Sequence, residues 1–433
     1  MKMKDSGVEW IGEIPEDWTV QKVKHQFDRK KGKPETEDYE ILKLARSGIQ
    51  IRDISSGDGQ IAADYSGYNP VEPLDILINP MDLISGDNSN ISEVSGVISQ
   101  AYINLRFRTS INPYFYNYYF KLQYWLGAFF THGKGVSFDN RWTINDETLR
   151  NFPLIVPSLN EQNKIVKFLD SKLSLIDQII ADTKRSIEEL KAYKQSLITE
   201  TVTKGLDPNI PMKDSGVEWI GEIPESWKLT KNKYLCDFNK GLSITKENLR
   251  ESGVPVISYG QVHSKYPVHF DPTKDILPFV SEDYLDYKNA RLKKGDFIFA
   301  DTSEDYAGSG NFSMLTSNAQ VLAGYHLIVV RLNKGKERLI PEYLAYYFAS
   351  DMHRNQVRIN VSGIKVFSIT QQLLKNTLIL IPPYEVQKDI VKFLEEKLLL
   401  IDELILNKYY LINEHEIYKK SLIYEYVTGK KTL

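Results

Sequence analysis

A chain of 433 residues, 42% of them hydrophobic, has the length for two to four domains and the material to give each a core. Its single cysteine, Cys236, excludes an internal disulfide framework, and neither a signal peptide nor an apolar run of membrane-spanning length is legible, so a cytoplasmic protein with no membrane partner is expected. The formal net charge of −3 lacks the basic footprint usual for nucleic-acid binding, and only residues 211–382 have a positive balance, with 21 Lys+Arg against 19 Asp+Glu. Any nucleic-acid surface must therefore be local or completed by a partner.

The first predicted domain covers residues 1–156. It opens on MKDSGVEWIGEIPEDW at 3–18, a stretch that returns at 212–227 with only Asp17 changed, to Ser226. Fifteen matches in sixteen mark an internal duplication, which sets the organisation of the whole chain. Short β-rich runs follow, EILKL at 40–44 and LDILIN at 74–79, separated by turn-rich loops. A tyrosine-rich stretch of helical length occupies 113–125, its rings expected to fill a helix–sheet interface.

Residues 157–206 read as one long helix. Leu169, Leu173, Ile176, Ile180, Thr183, Ile187, Leu190, Lys194, Leu197 and Thr201 alternate steps of four and three, and seven of the ten are apolar. Pro157 marks where it can begin; Gly205 and Pro208 stop it.

The second domain, 207–382, repeats the first with different surfaces: GDFIFA (295–300) stands against LDILIN, and IPEYLAYYF (340–348) against NPYFYNYYF (112–120). VPVIS (254–258) and HLIVVRL (326–332) read as further strands. Residues 383–433 then repeat the helix at a spacing of 225, with the stripe at Leu394, Leu398, Ile401, Ile405, Lys408, Ile412, His415, Lys419, Leu422 and Tyr426. A helix of about forty residues is roughly 60 Å long and cannot bury such a stripe alone. The economical partner is the other copy, and the intervening domain makes the pairing antiparallel. The expected fold is thus α+β: two mixed α/β domains joined by two long antiparallel coiled-coil helices, an internal duplication with pseudo-two-fold symmetry.

Catalytic signatures are missing. Ile381-Pro382-Pro383-Tyr384 lacks the Asn or Asp that a base-flipping adenine methyltransferase places before its prolines, and reads as a helix start. Gly127 to Gly135 is one residue too long for a phosphate loop and lacks its terminal hydroxyl. Asp296 and Asp301 could be forced into a nuclease cluster only with a distant lysine. Seven scattered histidines give no metal-ligand spacing, and His415 lies on the helix stripe, where a helix-partner contact is expected. No cofactor of its own and no catalysis are expected of the chain.

The two opening segments, the pattern Glu161-Gln162, Ile165, Phe168-Leu169-Asp170, Ile176-Asp177, and the ending SLITETVTKGL (196–206) resemble type I restriction-modification specificity subunits over essentially the whole chain. The second helix departs locally, with Val386 in place of the glutamate before Gln387 and an ending VTGKKTL. The resemblance implies two target-recognition domains, each reading one half of a bipartite double-stranded DNA site. It also implies two methyltransferase subunits and translocase-nuclease subunits as partners.

Reading bases in a major groove needs polar side chains on loops. The polar, turn-rich stretches that differ between repeats supply Arg46, Ser47, Asn88, Asn90, Lys134, Ser137, Asn140 and Arg141 in the first domain. In the second they supply Gln261, His263, Lys265, Ser303, Asn311, Ser362 and Lys365. Lys134 and Lys365 rank highest because each lies in a Gly-containing loop, KGVSF or GIKVF, after the tyrosine-rich helix. Two rivals stand beside this reading: a similar specificity chain for fused nuclease-methyltransferase partners, and a non-DNA scaffold of two domains on a coiled-coil spacer.

Overall fold

The repeated opening segment folds the same way twice. In the computed structural model, which describes residues 2–34, 38–45, 47–53, 64–81, 83–84, 89–135, 142–333 and 338–433, Met3–Asp5 pairs antiparallel with Glu13–Pro15, and Met212–Asp214 with Glu222–Pro224. Each hairpin ends on a buried tryptophan, Trp18 or Trp227. The chain divides into two units, Met1–Lys184 with Tyr409–Leu433, and Arg185–Lys408.

In the first unit an antiparallel sheet has the order Phe27–Lys30, Ile103–Phe107, Ile76–Ile78, Ser89–Ile91. The helix Pro113–Trp125 covers it, with Pro113 at its first turn and the Asn112 side chain accepting from the Tyr114 and Phe115 amides. Tyr116, Tyr119 and Tyr124 are buried, and the Tyr119 hydroxyl donates to the Pro153 carbonyl at 2.9 Å. These rings fill the helix–sheet interface, as their composition suggests; the Tyr124 hydroxyl likewise donates to the Asn79 carbonyl, whereas that of Tyr116 is buried without a hydrogen-bond partner among the described residues.

The second unit repeats this order as Cys236–Lys240, Leu327–Leu332, Phe297–Ala300, Phe312–Leu315, and adds a fifth strand, Val268–Phe270, parallel to the last. Its covering helix is Pro341–Ala349, with Tyr343 and Tyr347 fully buried and donating to the Leu380 and Leu378 carbonyls. Each sheet contains a buried carboxylate held by an arginine: Asp75 by Arg106 at 2.7 and 2.8 Å, and Asp296 by Arg331 at 2.8 and 2.5 Å. Asp296 is thereby a structural ion-pair partner, and no cluster of three or more metal-ligating side chains occurs among the described residues.

The long helices run unbroken over Leu159–Lys204 and Tyr384–Val427. In the first unit Leu169, Leu173, Ile176 and Ile180 join one core with Leu422, Ile423 and Val427. Phe168 meets Tyr426 at 4.6 Å and Asp177 pairs with Lys419, so numbers rise along one helix as they fall along the other. That is an antiparallel pairing. In the second unit Ile198 and Val202 share a core with Leu394, Leu398 and Ile401, and Lys194 pairs with Asp402. Two of the lysines that interrupt the apolar stripe, Lys194 and Lys419, therefore make interhelical ion pairs.

Each long helix is clasped to its sheet domain by a buried glutamine. Gln162 accepts from the Asn112 amide at 2.8 Å and donates to the Pro157 carbonyl at 2.9 Å; Gln387 accepts from the Ile340 amide and donates to the Pro382 carbonyl, both at 2.9 Å. This geometry explains the repeated glutamine, and it places Pro382-Pro383 at a helix start.

Candidate nucleic-acid interface

In both units two segments meet at one edge of the sheet: the chain leaving the strand Ile76–Ile78 or Phe297–Ala300, and a hairpin that follows the tyrosine helix. Ile144 donates its amide to the Pro80 carbonyl at 3.0 Å, and Ile369 donates to the Asp301 carbonyl at 2.8 Å. These bonds are equivalent, since Ile144 and Ile369 are 225 residues apart and Asp301 is the repeat counterpart of Pro80. The bases of the two hairpins are thus the same structural element carrying different sequences.

In the first unit the hairpin is closed by a Lys134–Thr143 bridge, with Lys134 exposed at its base. Leu83 lies against Gly133, where a side chain would also strike Trp142. Asn90, almost fully buried, donates to the Ala45 carbonyl at 3.1 Å and holds the hairpin of Leu42–Ala45 and Gly48–Ile51. Ser47 sits exposed in that hairpin's turn and accepts from Gln50 at 2.9 Å. Arg46, Asn88, Ser137, Asn140 and Arg141 lie outside the described residues.

The second unit joins five of its seven candidates. Thr302–Ser303 pairs antiparallel with Phe367–Ser368, and Ser362 bridges to Ser368, so the loop carrying Lys365 stands over Ser303. His263 Nε2 is 2.8 Å from the Thr302 carbonyl, and Asn311 Nδ2 is 2.9 Å from His263 Nδ1. An amide nitrogen only donates and a carbonyl only accepts, so these contacts specify the neutral imidazole with its proton on Nε2. Arg354, from the helix Asp351–Arg358, donates to Asn311 Oδ1 at 2.6 Å and to the Ala307 carbonyl at 3.0 Å. Arg358 donates to the same carbonyl at 2.8 Å.

Both ends of the Asn311 amide are therefore engaged within the protein. Ser303 is buried and donates to the Asp305 carbonyl, and Gln261 accepts from the Ser258 amide at 2.9 Å. Lys365, Ser362 and Lys265 remain exposed. Arg354 and Arg358 were not among the sequence candidates; their spacing of four puts them on one face of a helix, which is the signal that could have found them. Burial, and next the neighbouring Arg358, push Arg354 down to about 10, which still leaves it charged at neutral pH.

Two similar sheet domains with differing polar edges, each built onto a repeated long helix, define a duplicated recognition scaffold. Residues 85–191 and 224–408 match the type I restriction modification DNA specificity domain family. The chain is 26% identical over 428 residues to the type I restriction enzyme MjaVIII specificity subunit of Methanocaldococcus jannaschii, covering 96% of this chain and 93% of the relative. It is 25% identical over 272 residues to the EcoKI specificity subunit of Escherichia coli, covering 58% of this chain and 53% of the relative. In fold it is similar to a chain from a solved type I R-M system described for its complex assembly and conformational transition, with a TM-score of 0.72 at 16% identity, covering 96% and 99%. The HsdS subunit of Thermoanaerobacter tengcongensis is also similar, with a TM-score of 0.54 at 14% identity, covering 96% and 98%. The chain belongs to the type I restriction-modification specificity family, and its function is that of a specificity subunit.

Proposed function

We propose that residues 1–156 and 207–382 each read one half of a bipartite double-stranded DNA site, and that the chain does so in the cytoplasm without catalysing a reaction itself. The observation that carries this reading is the equivalent hairpin base of the two units, one frame carrying the exposed Lys134 in one copy and the loop of Ser362 to Lys365 in the other. A retained frame with divergent exposed residues is what two different half-sites require. Lys134 and Lys365 are the leading contacts, with Ser47, Lys265 and Ser362 exposed beside them.

Two methyltransferase subunits and translocase-nuclease subunits are the proposed protein partners. Exposed apolar side chains on the long helices support docking of this kind: Leu175 and Tyr418 in the first unit, Leu399, Leu400, Leu404 and Leu406 in the second. No helix among the described residues is long and apolar enough to cross a membrane, so these side chains suit protein partners.

The test is to co-express the chain with its methyltransferase subunits, map methylated adenines, and compare Lys134→Ala with Lys365→Ala. Each substitution is expected to disturb only the half-site of its own domain, by about 1–3 kcal/mol at one base, or as a uniform loss with a shallower salt slope where the lysine meets phosphate. Methyl transfer or ATP hydrolysis by the isolated chain would end the non-catalytic reading. The net charge of −3 favours a non-DNA scaffold instead, and a complex that shifts no DNA would support that alternative.

A further inference from the structure

The candidate reading side chains on the floor of the second unit's edge, Asn311, His263 and Ser303, are engaged within the protein, which leaves the reading to what projects above them. Asn311, His263, Arg354 and Ser303 bond to one another or to backbone carbonyls. Above them stands the loop between Ser362 and Ser368. Its form is dictated by Gly363, whose φ of +137° suits only glycine and where any side chain would collide with the Val366 carbonyl oxygen. The loop is held at its base by the Ser362–Ser368 bridge and the strand pair with Thr302–Ser303.

At the tip of this fixed loop is an apolar side chain, Ile364, 95% exposed. Lys365 follows it, Val366 is half-exposed, and Ile359, at the end of the helix that carries Arg354 and Arg358, is 70% exposed. A lone exposed aliphatic residue needs no explanation. Three of them at one edge, with the exposed Lys365 among them on a loop shaped by Gly363, make a surface that is both cationic and apolar. Duplex DNA matches that pair of properties: phosphates answer the cations, and the thymine 5-methyl group is the apolar feature of the major groove.

We infer that Ile364 is a specificity-determining residue of the second domain, packing on the 5-methyl group of a thymine while Lys365 supplies charge beside it. The inference rests on the DNA-reading role proposed above. It makes the domain a reader of thymine by methyl contact as well as by hydrogen bonding, and it assigns selectivity to a side chain that a search for polar loop residues passes over.

The experiment uses the full-length chain in complex with its methyltransferase subunits and a set of duplexes in which each thymine of the second half-site is replaced in turn by uracil, which lacks only the methyl group. At one position uracil is expected to weaken wild-type binding about three- to fivefold, the scale of one buried methyl. In Ile364→Ser that uracil effect should disappear, while binding to the first half-site and the thermal melting point stay as in wild type, since the residue is exposed. Ile364→Val should keep part of the effect. Specific binding with no uracil-sensitive position, or with the same sensitivity in Ile364→Ser, overturns the inference. Absence of any sequence-specific binding by the wild-type complex instead removes the DNA-reading role beneath it.

Discussion

Lys194 Nζ lies 2.5 and 2.7 Å from the two carboxylate oxygens of Asp402. The repeat forms the same bond again with the roles exchanged, because Lys419 is the counterpart of Lys194 and Asp177 that of Asp402, and these two are also paired. Both pairs are partly solvent-exposed, with Lys194 at 31% and Asp402 at 55%, so each contributes only about 0.2–1 kcal/mol. Their larger effect is on register, since a slip along the helices sets each lysine against a different neighbour. Asp402→Lys alone is expected to destabilise the chain, and Lys194→Asp with Asp402→Lys to recover most of the loss. Denaturant unfolding of the four species gives the coupling; a double variant no better than the single ones would show that the pair does not set the register.

The same register makes the second half of the chain self-complementary. In two copies of residues 212–433 with their helices antiparallel, Asp402 of each would meet Lys419 of the other, because the chain already makes this bond between repeats. That fragment is expected to dimerise, bind methyltransferase subunits and direct methylation to a two-fold symmetric site built from the second half-site. Light scattering and sequencing of modified adenines test this; a monomer, or a complex that modifies an asymmetric site, would sink it.

Val386 stands where the first repeat has Glu161. Trp18 donates its indole N–H to Glu161 at 3.2 Å, whereas the indole N–H of buried Trp227 has no partner. An unsatisfied buried donor costs about 1–3 kcal/mol. Val386→Glu is therefore expected to stabilise the second unit by about 1 kcal/mol once lost valine packing is offset, and Glu161→Val to destabilise the first by a similar amount. Thermal melting of both variants decides the matter: a lower melting point in Val386→Glu would mean that the carboxylate does not reach the indole.

Arg331 holds the carboxylate of Asp296, which is 3% exposed, while the arginine itself is 24% exposed. Removing the arginine strands a buried charge. Arg331→Ala should cost about 2–3 kcal/mol, less than the loss from breaking a fully buried pair because water reaches the arginine. Asp296→Asn with Arg331→Leu should be milder than Arg331→Ala alone. Equal losses would show that the penalty comes from packing and not from an uncompensated charge.

His353 is fully buried beside Phe348, Tyr347 and Phe299, and burial pushes it down to about 3. In the unfolded chain the imidazole takes up its proton near 6.5, where the folded one does not. Between those values the unfolded state binds the extra proton, so stability falls as pH drops from 6.5 towards 3, by up to about 1.4 kcal/mol per pH unit from this residue. His353→Phe should flatten that part of the stability profile. An unchanged acid slope in the variant would assign the loss to other groups.

Repeats, helical stripes and tyrosine-rich helices were legible in the amino-acid sequence because identity and periodicity are properties of neighbours along the chain. Leu169 to Ile180 and Leu394 to Ile405 carry their spacing with them, and the sequence also determined that the stripe needed a partner. The strand order, the glutamine clasps and the Asp–Arg pairs were not legible, since Asp75 meets Arg106, and Gln387 meets Ile340, only after sheet and helix have formed. At the candidate interface the limit was sharper. Asn90, Asn311, Ser303 and Gln261 have the chemistry of base readers, but whether a polar group faces solvent or a backbone carbonyl depends on groups brought to it from far along the chain. Asn311 is engaged by His263 and Arg354, 48 and 43 residues away. Ile364 lies within the candidate loop GIKVF but was not singled out, since the criterion was polar chemistry, and only a loop shaped by Gly363 and anchored to Thr302–Ser303 shows that this aliphatic side chain is exposed.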